Sequence, residues 1–189
     1  MHPRLAEAMT YVEEKRADLL RKIESVDRDR LTERPAADRW SVAEVLDHLQ
    51  RVEGGVAMLI AKRSTKARAA GLGPEKSTDS VLGSIDHMGE MLDNGRIESP
   101  ETVRPQSDAD PEKALAGLTA SRQSLRDAAN TADGLALGEI KHTHAVLGEL
   151  DLYQWIIFLG RHEARHTRQI ERTLKSLSAQ PAPQPLQAR

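Results

Sequence analysis

At 189 residues, with 27 Lys plus Arg against 29 Asp plus Glu and a net charge of −2, the chain has the length of one ordinary domain and neither the basic footprint of a nucleic-acid binder nor an acidic tail. Cysteine is absent, which excludes disulfides, thiolate metal ligands and a cysteine nucleophile, and leaves histidine and carboxylate to carry any chemistry. No apolar stretch approaches the roughly 20 residues that span a bilayer, and the opening MHPRLAEAMT shows no apolar leader segment. A soluble, cytoplasmic protein without membrane or nucleic-acid partners is therefore expected.

Aromatic residues make up only 3% of the chain, and runs of β-branched residues are rare, which favours helix over sheet. A first helix is predicted from about Pro3 to about Val26, where Leu5, Met9, Val12, Leu19, Ile23 and Val26 recur at helical spacing. Pro35 breaks the pattern, and WSVAEVLDHL then opens a second helix. Ser41 is placed as its N-cap, Glu44 closes a capping box three residues on, and Trp40 with Val45 form a hydrophobic staple. A connection over about residues 71–109 follows, with a short helix outlined by Val81, Ile85, Met88 and Leu92 and stopped at Asn94 and Gly95. Asp110 as N-cap and Pro111 in the first position start a third long helix through Leu115, Leu118, Leu125 and Ala129. Beyond Gly134 and Gly138, GEIKHTHAVLGEL reads as an extended or turning approach to a last helix from about Glu149 to Leu177. The proline-rich end predicts a disordered tail over 179–189, behind a single domain over 1–178. Four amphipathic helices in so short a chain predict an antiparallel four-helix bundle, whose core can carry a site built from facing helices.

The last helix carries RHEARHTRQI. Counting three or four residues at a time from Leu152 through Trp155 and Leu159 reaches His162, then His166, then Ile170, so both histidines fall on the buried stripe. Arg161, Arg165, Arg168 and Arg172 fall off it, where guanidinium groups can stay in water. In the second helix the row Val45, His48, Val52, Val56 also turns a histidine inward. An unpaired buried imidazole nitrogen costs roughly 1–3 kcal/mol, and one shared metal ion would satisfy all three rings. The i, i+4 spacing rises about 6 Å, which lets two imidazoles converge and a third from a facing helix complete the set.

Alone, an HxxxH pair is a weak signal and commonly sits at a wet surface, and His48 alone is more often a hydrogen-bonded core residue. Their joint inward placement favours metal. His142 and His144, an HxH in the approach to the last helix, are expected to be solvated or to line the mouth of the bundle. Trp40 and Trp155 read most simply as core and staple residues. No carboxylate is placed convincingly as a general base.

The segments WSVAEVLDHLQRVE and HAVLGELDLYQWIIFLGRHEARHTRQIER resemble the DinB/YfiT-like superfamily. Trp40, Ser41, His48 and Leu49, then Gly148 and Leu150, then His162, His166, Gln169 and Ile170 follow its motif in order and spacing. The resemblance implies a divalent metal, zinc or nickel, held by His48, His162 and His166 with further positions left to water. It also implies a homodimer and, among characterised relatives, thiol-dependent S-transferases and isomerases that use a low-molecular-weight thiol. It does not imply the DNA polymerase that shares the name. Two functions are open at this stage. One is a metal-dependent transferase or hydrolase acting on a small molecule with water or a thiol; the other is a metal-binding or stress-related protein without turnover. Three imidazoles suit zinc, nickel, copper and iron alike.

Overall fold

The computed structural model describes residues 1–89 and 100–179. Its helices are α1 (Pro3–Ile23), α2 (Arg28–Thr32), α3 (Val42–Ala69), α4 (Pro111–Ala132) and α5 (Leu152–Ala179), and a hairpin of β1 (Lys141–His144) and β2 (Gly148–Asp151) precedes α5. The four long helices are those the periodicity predicts. The short α2 and the hairpin are additions, each too brief to show a period. In the hairpin, β1 pairs antiparallel with β2, and Gly148 takes the left-handed conformation, with φ +77, that a side chain would disfavour.

The start signals act as read. The Ser41 hydroxyl accepts the Glu44 N–H at 3.2 Å while the Glu44 carboxylate accepts the Ser41 N–H at 2.8 Å. The Asp110 carboxylate accepts from the N–H groups of Glu112 and Lys113 at 2.9 and 3.0 Å. Trp40 and Val45 belong to one apolar cluster. The short helix expected in the connection is present as a 3₁₀ turn over Leu82–Met88; Leu92, Asn94 and Gly95 lie outside the described residues. So does the proline-rich tail beyond Ala179.

Contacts fix the helix directions. Tyr11 lies against Gly160, Arg16 pairs with Glu163, and Lys22 pairs with Glu171, so α1 and α5 run the same way. Gln50 lies against Gly117 and Glu53 pairs with Arg122, so α3 and α4 also run together. The antiparallel relation lies between these two pairs: Arg16 bonds to the Leu118 carbonyl and Arg122 to that of Val12. Two consecutive helices that run in one direction need a connection as long as the bundle, which is why some forty residues separate α3 from α4. Its outgoing limb is tied to the end of α4, where Glu75 N–H donates to Gly134 at 2.9 Å, and then buries Val81 and Ile85. Its returning limb is held at the start of α3, where Asp47 accepts the Gln106 N–H at 2.9 Å.

The interior is two apolar clusters. One is built from the first turns of α1, the later turns of α3 and α4, the hairpin and the first turns of α5. The other gathers Leu19, Leu31, Val45, Leu46, Leu49, Leu118 and Ile170. Between them lies a polar layer that all four long helices cross.

Candidate metal centre

His48 comes from the second turn of α3, and His162 and His166 from consecutive turns of α5. Their facing nitrogens all lie within 4.8 Å of one another. His162 Nε2 is 3.2 Å from His48 Nε2 and 3.2 Å from His166 Nε2. The other nitrogens of two of the rings are committed. His48 Nδ1–H donates to the Val103 carbonyl at 2.7 Å, and His166 Nδ1–H to the Gln169 amide oxygen at 2.8 Å. A neutral imidazole that donates from Nδ1 carries a bare lone pair on Nε2. Two lone pairs therefore face His162 Nε2, whose one proton could satisfy only one of them.

That donor set fits a metal ion. Two nitrogens about 2.0–2.1 Å from one zinc ion stand about 3.3 Å apart at a tetrahedral angle, close to the spacing here. The partners on Nδ1 are those that orient metal-bound histidines. The rings are also held neutral. Burial pushes all three down; neighbouring histidines push two of them further, His166 to about 3 and His162 well below the ordinary imidazole value, while His48 is lowered by burial with Arg165 adding to it. The neutral form is the one that ligates.

The trio forms part of the wall of a cavity of about 550 Å³ lined also by Trp40, Val52, Val56, Leu59, Trp155 and Phe158. Several expectations change here. The site lies between the two apolar clusters, because His162 and His166 interrupt the stripe of α5 midway and His48 stands between Val45 of one cluster and Val52, packed against the other. Trp40 and Trp155 pack as expected, but they are cavity wall as well as core; Trp40 packs at a tilt against His48 with 5.2 Å between ring centres. Arg165 is not a free surface group but lines the cavity, and Arg161 pairs with Asp86. Arg168 and Arg172 are exposed as read. His142 and His144 stand on β1 and line the cavity, and the two-residue spacing makes both half-buried between exposed neighbours.

Sequence reasoning missed the other half of the polar layer. Arg16, Glu53, Arg122 and Glu163, one from each long helix, form a closed ring of ion pairs. Arg16 bonds to Glu53 at 2.9 Å and to Glu163, and Arg122 bonds to Glu53 at 2.8 Å and to Glu163 at 3.0 Å. All four are buried, between 3% and 7% exposed, yet two positive charges meet two negative ones. The spare donors reach the Leu118 and Val12 carbonyls, and Ser121 adds a hydroxyl to Glu53. The signal was present: each residue stands four after one core residue and, in three of the helices, three before the next, as in Val12, Arg16, Leu19.

Fold and site together define a four-helix bundle protein whose histidine cluster could hold one metal ion. The chain belongs to the DinB superfamily, whose family model matches residues 11–170. It is 24% identical to the uncharacterized protein YuaE of Bacillus subtilis (strain 168) over 170 residues, covering 86% of this chain and 94% of that one. It is similar in fold to the crystal structure of TT2238, a four-helix bundle protein, with a TM-score of 0.58 at 19% identity over 89% of this chain and 98% of the other. No described helix is long and apolar enough to cross a membrane.

Proposed function

We propose that this protein is a divalent-metal-dependent enzyme that transfers or hydrolyses a group on a small molecule. His48, His162 and His166 are the ligands, the ion is zinc or nickel, and the nucleophile is water or a low-molecular-weight thiol. The observation that carries the reading is the convergence of the three histidines beside a cavity, with no fourth His, Asp or Glu joining the cluster among the described residues. Three protein ligands leave a position open, whereas structural sites are closed by a fourth. When bound, the ion lowers the pKa of a water or thiol beside it, giving a nucleophile near neutral pH.

The chain's own groups do the rest. Val103 and Gln169 fix the tautomers and aim of His48 and His166. Trp40, Trp155 and Phe158 offer an apolar wall that sheds water from the reacting centre and strengthens electrostatic effects there. Since the chain has no cysteine, any thiol arrives as a cosubstrate. The alternative, a metal-binding or stress-related protein without turnover, keeps the same ligands and would need the site closed from outside the described residues. Association into a homodimer is part of the proposal, and sedimentation that finds only the 20.9 kDa chain would remove it.

The test is a screen of thiols (bacillithiol, mycothiol and glutathione) against electrophiles, with the metal present and after chelation. Thiol or water transfer that vanishes on chelation and returns with zinc or nickel is expected. Turnover that survives chelation and also survives His48→Ala would reject metal catalysis.

A further inference from the structure

The hairpin before α5 contributes a group that the metal reading does not use. His144 Nδ1 accepts two backbone N–H groups of its own turn, those of Val146 at 3.1 Å and Leu147 at 3.2 Å. A nitrogen that accepts two hydrogen bonds cannot carry a proton without losing both, so the ring is neutral and its hydrogen is on Nε2. No hydrogen bond among the described residues takes up that hydrogen. The ring is wedged against Trp155 and Phe158, with centres 5.1 and 4.9 Å away, and Phe158 in turn packs on His162 at 5.4 Å. His142 is fixed in the same tautomer, since Arg63 donates to its Nδ1 at 2.8 Å, and its carbonyl holds the Trp155 indole N–H at 3.2 Å. The hairpin is thereby pinned to the cavity wall with both rings in their Nε2–H form.

Ligand chemistry follows from what the lining offers. Most of it is apolar; of its ionisable groups outside the metal trio, Asp38 alone is acidic, against Arg39, Arg165, His142 and His144. Such a lining welcomes an apolar body and an oxygen that accepts hydrogen bonds, and it offers little to a cation. We propose that the cavity takes an apolar carbonyl or carboxyl compound and that His144 Nε2–H binds its oxygen, with His142 as a second donor. This rests on the reading that substrate enters this cavity, and it makes His144 the residue that selects for an oxygen acceptor. A neutral, pre-aimed donor also holds an oxygen on which negative charge grows without a change in its own protonation.

The experiment separates this from metal ligation by using the metal-free protein. Acetophenone and its isostere α-methylstyrene, which replaces the carbonyl oxygen by a methylene, are titrated against the full chain treated with chelator. Binding is read from the two indole N–H signals in NMR, since the chain has only two tryptophans and both line the cavity. One hydrogen bond predicts a roughly three- to tenfold preference for acetophenone. That preference should disappear in His144→Phe, which keeps the aromatic packing and removes the donor, and should persist in His142→Phe. Should His144→Phe fail to fold, the imidazole nitrogen spectrum of the native protein decides: the His144 Nε2–H signal must shift with acetophenone and stay put with α-methylstyrene. Equal binding of the two probes to native protein, or a preference that survives His144→Phe, would overturn the proposal. A preference that appears only with zinc present would assign the oxygen to the ion, overturning the role of His144 while leaving the metal reading intact. Loss of metal binding with the preference retained would do the reverse.

Discussion

His162 and Glu163 are consecutive residues of α5, and the chain takes both into the polar layer, but they enter opposite kinds of company. Glu163 joins a ring in which each guanidinium meets carboxylates and carbonyls, and in which the charges cancel. Burial alone would make Arg122 easier to deprotonate, but Glu53 and Glu163 outweigh it and hold the guanidinium above its ordinary value. His162 instead meets two lone pairs that it cannot both satisfy. A buried polar set whose members satisfy one another is complete as part of the fold, whereas one that converges with bare acceptors is complete only with something added. The ring specifies how four helices meet; the trio, in the same layer, could hold an ion.

The largest effect is expected where the satisfied set is broken. Arg122→Met leaves Glu53 and Glu163 short of a partner in the core and should destabilise by about 3–5 kcal/mol in urea unfolding. Replacing all four ring residues together by apolar ones of similar size should recover most of that loss. If the single substitution costs less than about 1 kcal/mol, the ring is not the closed unit described.

Next comes Gln169→Leu, which leaves every ligand in place but takes the acceptor from His166 Nδ1–H. Metal affinity should fall by about 10- to 100-fold, with little change in the unfolding midpoint of the metal-free protein. An unchanged affinity would mean that Gln169 does not orient the ring.

The smallest effect sharpens the satisfied class at a distance from the layer. Glu75 accepts from Arg4 at 2.8 Å, from the Tyr153 hydroxyl at 3.0 Å, and from the N–H groups of Lys76 and Ser77. Burial pushes this carboxyl up, but these four partners together hold it below the ordinary glutamate range. A depressed folded value means that the stabilisation is present at and above the ordinary glutamate range and is lost as pH falls through the lower, folded value. Lowering the pH from 7 towards 3 should therefore cost the native protein more stability than Glu75→Gln, measured by urea midpoints. Parallel pH profiles for the two would contradict it.

Much of this was legible in the sequence, for a physical reason that also marks the boundary. Helices α1, α3, α4 and α5 announce themselves because each buries one stripe, and the caps at Ser41 and Asp110 are local chemistry that no distant contact alters. The three histidines were found because they interrupt an apolar count. Arg16, Glu53, Arg122 and Glu163 interrupt theirs in the same way, but a charge in a helix is so often solvated that the register was not followed through them. The directions of the helices and the hairpin depend on which partner each segment meets, and periodicity carries no such information. The tautomers of His142 and His144 depend on Arg63 and on a turn, which only the fold brings to them.

The contrast between the two halves of the layer is tested most directly by metal content. Protein without a histidine tag, purified beside the His162→Ala and His166→Ala double substitution, is stripped with chelator, exposed to zinc, desalted and weighed by elemental analysis. About one zinc per chain in the native protein and close to none in the variant, with helical circular dichroism unchanged, is the predicted result. Equal zinc in both samples would contradict the assignment of the trio as a metal centre.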